Sequence, residues 1–78
     1  MAEEFATEVV KRFTGEIASR LSKAAALATM AQILNRQCLA EHGFETLMDV
    51  EPLIFEATAL LNAASIVNRS GNETQRTG

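Results

Sequence analysis

Cys38 and His42 stand four residues apart, so on a helix they share a face, with Glu41 and Glu45 beside them. A thiol and an imidazole at that spacing could supply half of a tetrahedral zinc site. The other ligands would have to come from Glu45 or from a second copy of the chain. The simpler expectation is a small buried thiol next to a histidine in the last turn of a helix, where the dipole favours its charged form. The same two groups could act as nucleophile and base, but that chemistry also needs a third group to orient the histidine and a pocket for a substrate. An alanine-rich chain of 78 residues offers little concave space.

Glu41, Glu45, Asp49 and Glu51 gather around one predicted turn, with Glu56 one helical turn further along. General acid–base catalysis wants a desolvated pair, and a turn is wet. These carboxylates are read as a solvated rim, able at most to meet a basic partner. The chain is therefore expected to be no enzyme, with no catalytic residue, no metal ligand, no cofactor and no small-molecule substrate.

Charge argues further. The net charge is −3, whereas nucleic-acid binding rests on a basic stripe that neutralises phosphates. A helix-turn-helix around Phe13–Gly15 would need two short helices. The segment after Gly15 is too long for that and carries alanines where base-reading side chains would sit. No apolar run is expected to approach the roughly 20 residues of a membrane span. The start, Met1 to Phe5, is acidic where a secretory signal is basic, so the expected location is cytoplasmic. Asn68–Ser70 and Asn72–Thr74 match the glycosylation pattern, by chance in that setting.

The elements that must carry these residues are helices. Apolar residues recur in steps of three and four at Phe5, Val9, Phe13, Ile17, Leu21, Ala24, Ala28, Ala31, Leu34 and Cys38. Glu3 and Glu4 favour a first turn there, and Glu8–Arg12 and Glu16–Arg20 are acid-before-base pairs at four-residue spacing. The apolar stripe crosses Gly15 in phase, which predicts one helix over about 3–42 rather than a break capped by Thr14. Gly43 is expected to end it in the left-handed conformation, with Phe44 folded back on Leu39. A turn over 43–49 follows. Asp49 caps a second helix over about 50–69, with Pro52 in its first turn and Ser70–Gly71 as its stop; its main apolar stripe is Val50, Leu53, Ile54, Ala57, Leu60, Leu61, Ala64 and Val67. The single domain spans 1–71, and 72–78 form a flexible polar tail. The fold class is all-α: a long helix and a shorter antiparallel one in a helical hairpin.

A hairpin of this size is short of core. A domain below ~70–80 residues gains only ~3–5 kcal/mol from its own core and usually needs a staple. One cysteine excludes an internal disulfide. On the expected boundaries the second helix covers only half of the first, leaving Phe5, Val9, Val10, Phe13 and Ile17 without cover. Phe55, Ala59, Ala63 and Ile66 form another apolar face about opposite the second helix's main stripe. A helix apolar on two sides is packed on two sides. The expected assembly is a homodimer with a four-helix-bundle core, and these nine residues are the candidate surface for self-association and protein binding. The expected function is binding another protein as an adaptor, inhibitor or regulatory subunit; an inhibitor of a bacterial or phage regulator fits that description. The rivals are a purely structural self-assembling module and a DNA-binding dimeric regulator.

Overall fold

The computed structural model describes the backbone from Ala2 to Thr77 and the side chains from Glu3 to Gly71. Every regular element among these residues is an α-helix: α1 (Ala2–Arg36), α2 (Ala40–Met48) and α3 (Val50–Thr77). Gly15 lies inside α1, and the Thr14 hydroxyl donates to the Val10 carbonyl at 2.7 Å rather than capping a new helix. The continuous reading of that segment holds.

The first helix ends at Arg36, six residues before the expected stop at His42. The reason is a left-handed cap built on a different residue. Cys38 has φ 63°, its N–H donates to Asn35 at 3.1 Å, and the Leu39 N–H reaches back to Leu34 at 2.9 Å. Those two bonds satisfy carbonyls that a helix end otherwise leaves open, and they bring Leu39 toward Leu34. A non-glycine residue in this conformation costs roughly 1–2 kcal/mol, so no sequence signal marks it.

Gly43 does not cap anything. It is buried inside α2, and the expected 43–49 turn is mostly helix. A Cβ there would overlap the Asn35 side chain and stand 3.1 Å from the Ala31 carbonyl. Glycine is needed for close helix approach, not for its φ. Phe44, expected to fold back on Leu39, is exposed instead.

Only Asp49 interrupts the line from α2 to α3, and it keeps right-handed helical angles. Pro52 accounts for the interruption. It lacks the N–H that would bond the Met48 carbonyl, and the Asp49 N–H turns to Thr46 at 3.1 Å.

The second correction lies at the other end. α3 runs through Ser70 and Gly71 to Thr77, so residues 72–77 continue the helix instead of starting a tail; Gly78 is outside the described residues. Gly71 is buried, and a Cβ on it would come within 2.9 Å of the Ala6 methyl. Ala6 meets Gly71, Arg20 meets Glu56 and Asn35 meets Gly43, so α3 and α2 return along the full length of α1, antiparallel to it. The expectation that Phe5, Val9, Val10, Phe13 and Ile17 lie beyond the second helix therefore fails. Phe13, Ile17, Val9 and Val10 are half-buried; Phe5 stays 70 % exposed.

The result is a rod of 61 × 14 × 12 Å. Its radius of gyration is 17.8 Å, against roughly 11–12 Å for a compact domain of this length. Ala40–Gly71 is, by length and composition, apolar enough to cross a membrane, which corrects the expectation that no run approaches a span.

Candidate functional site

The chemistry-bearing residues do not converge. Cys38 is exposed in the link between α1 and α2, and His42 lies in the first turn of α2. The two are on different elements, not on one helix face as expected, and the thiol is not buried. No three His, Cys, Asp or Glu side chains gather around a common point among the described residues. Concave features among the described residues include open grooves at the α2–α3 junction beside Met48, Pro52 and Phe55 and along α1 beside Phe5, Val9 and Arg12.

What the rod does possess is an inverted apolar distribution. The buried positions are Ala6, Ala24, Ala31, Val50, Ala57 and Ala64, with Gly43 and Gly71. In the second arm they fall seven apart at 43, 50, 57, 64 and 71, the spacing of a coiled-coil seam. Half-buried Thr46, Leu53, Leu60 and Val67 complete that seam at the intermediate step. On α1, Val10, Ile17, Ala24 and Ala31 keep the same seven-residue interval, alternating with Ala6, Phe13, Arg20, Leu27 and Leu34. Alanine and glycine at these points let the two backbones come close.

Many large side chains are left outside. Among the described residues no large side chain is fully buried, while Phe55 is 74 % exposed, Leu61 60 %, Ile54 50 % and Leu21 48 %. Leu47, Ile54 and Leu61 each lie four residues after a seam glycine, valine or alanine, and Leu21 lies four after Ile17. In an antiparallel pair, positions that follow the seam at this offset flank the same side of both helices. They therefore line one broad flank of the rod. Ala18, Ala25 and Ala28 extend it on α1, and Glu51 is the one charged residue on it between Thr14 and Gln32 and between Phe44 and Ser65.

The opposite flank collects the charges. Arg20 sits at a seam position and its guanidinium leaves toward that side: Nε donates to Glu56 Oε1 at 2.9 Å and a terminal nitrogen to Glu16 Oε2 at 2.8 Å. Hydrogen bonding to Glu16, then to Glu56, holds the Arg20 pKa above its ordinary value. Lys11 pairs with Glu8 at 3.7 Å between well-exposed side chains, so Glu8 takes Lys11 and not the expected Arg12.

Of the nine residues expected to bind, Val10, Phe13 and Ile17 belong to the intramolecular seam. Phe5, Phe55, Ala59 and Ile66 are exposed, and Val9 and Ala63 are half-buried. Sequence reasoning assigned Leu21, Ile54 and Leu61 to the stripe facing the other helix, and the structure turns them outward. The seven-residue spacing of glycine and alanine was the signal that could have separated the lanes. Compared with family models, with curated proteins and with solved structures, the chain has no match.

Proposed function

We propose that this chain works by protein–protein association, as a non-catalytic helical adaptor, inhibitor or regulatory subunit, and that its first partner is a second copy of itself. The hairpin of α1 with α2 and α3 is then half of a four-helix-bundle core. One observation carries this reading: among the described residues the buried positions are alanine, glycine and one valine, while twelve large apolar side chains are exposed. The rod exposes 5954 Å², whereas a compact monomer of its mass exposes roughly 4,650 Å². The excess of roughly 1,300 Å² is of the size that one side of an obligate interface removes from water. Burial of apolar area contributes about 25 cal/mol per Å², so an isolated rod forgoes a large part of its available stabilisation.

Sedimentation equilibrium over a range from nanomolar to high micromolar tests this directly. A dimer or larger species is expected, with a melting temperature that climbs with concentration. A monomer at every concentration overturns the proposal.

A membrane-bound reading has one observation in its favour, the apolar stretch Ala40–Gly71. It would carry Glu51 and Glu56 into hydrocarbon and separate Glu56 from Arg20, a costly arrangement. Co-flotation with neutral lipid vesicles favours that reading; recovery in the vesicle-free fraction favours association in water.

A further inference from the structure

We propose that the charge-poor flank is the surface on which the second copy docks, with the Leu47–Ile54–Leu61 ridge of one copy lying over the Ala18–Ala25 lane beside Leu21 of the other. This rests on the self-association reading above and adds the face and the arrangement.

Three observations select this face and this occupant. The first is charge. Arg20, Glu16 and Glu56 all gather on the opposite flank, and a twofold partner meets itself only where like charges are not forced together. On the charge-poor flank Glu51 is the single charge over its central length. The second is shape. The α3 side of the flank is raised by Leu47, Ile54 and Leu61, all at least two-fifths exposed, while the α1 side is lower, with exposed Ala18, Ala25 and Ala28 around the one large side chain of Leu21. A twofold axis running along the rod sets each ridge over the partner's low lane, so bulky side chains enter holes between small ones. An axis across the rod would set ridge on ridge and lane on lane. The third is area. A standard interface removes about 800 Å² from each partner, well within the surplus surface of this chain.

The test uses the full chain with Cys38→Ser. One sample carries Ile54→Cys, a second carries Ala25→Cys, and both are oxidised mildly alone and mixed. A disulfide-linked dimer in the mixture only is the expected result. Cross-linking of each variant with itself means like helices face each other and overturns the ridge-over-lane arrangement. Absence of any cross-link, in protein that still sediments as a dimer, places the contact elsewhere and overturns the face while self-association stands. Monomeric unmodified protein removes both. As a second measurement, Ile54→Glu should weaken self-association on the order of 100-fold, as truncation or charging of a central contact does. Phe55→Glu, outside the Leu47–Ile54–Leu61 ridge, should change it by less than about 3-fold, since contacts outside a buried centre contribute little. Equal effects of the two variants overturn the assignment.

Discussion

The seam between α1 and α3 and the flank beside it use the same helices and opposite residue sizes. At its buried points the seam holds Ala24, Ala31, Ala57 and Ala64 with glycines at 43 and 71, and larger residues such as Phe13, Leu27 and Leu53 are only half-buried between them; the flank holds exposed Leu21, Leu47, Ile54 and Leu61. A seam of small residues gains little per side chain from burial, because buried apolar area sets the gain. What it gains is distance. Backbones that approach closely expose the next lane of side chains outward, as a continuous ridge. The difference teaches that closeness within the chain and apolar area for a partner are two results of one choice of residue size.

Enlarging the seam is the strongest way to break the comparison. Gly43→Val places a side chain against Asn35 and the Ala31 carbonyl, and overpacking of that kind should cost about 1–3 kcal/mol, read by urea unfolding at fixed concentration. A smaller addition on the flank, Ala25→Val, should cost the monomer no more than about 0.5–0.7 kcal/mol, the difference in helix propensity, since Ala25 is exposed. A loss equal to that of Gly43→Val would mean the two regions do not differ as described.

Cys38→Gly comes next. Relief of the left-handed strain at φ 63° should raise stability by about 1 kcal/mol, seen as a higher urea midpoint with unchanged slope. An unchanged midpoint would place the cap elsewhere. Gly15→Ala should follow with about 0.5–1 kcal/mol of stabilisation, because a Cβ there meets nothing within 4 Å and the helix interior favours alanine. The contrast with Gly43 is sharp: one glycine is replaceable at a gain, the other only at a loss.

The smallest expected effect is that of Glu56→Gln. It removes the interhelical partner of half-buried Arg20, which keeps Glu16, while Glu56 itself is exposed. The melting temperature should fall slightly at low salt and match the parent at high salt, where exposed pairs are screened. A large, salt-independent fall would mean that the charged flank is buried by a partner.

Much of the architecture is legible in the sequence. The three-and-four spacing from Phe5 to Leu34 and from Val50 to Val67 is helical, and no strand pattern competes with it. The phase of the stripe across Gly15 carried α1 through its weakest residue. The candidate surface was legible only in part. Phe55 and Ile66 were expected to lie off the main stripe and do, whereas Ile54 and Leu61 were expected inside and are not. A stripe wide enough for two lanes has one period and so cannot name the lane that faces the neighbouring helix.

Composition and periodicity therefore settled the helical class, because local propensity and amphipathicity act within a few turns. The helix ends and the choice of inner lane were settled by contact between segments distant in the chain. Gly43 reads as a stop until Asn35 and Ala31 are seen against it, and Gly71 reads as a stop until Ala6 is. A glycine can relax a turn or admit a neighbouring backbone, and the residue type is the same in both uses; the packing partner tells them apart.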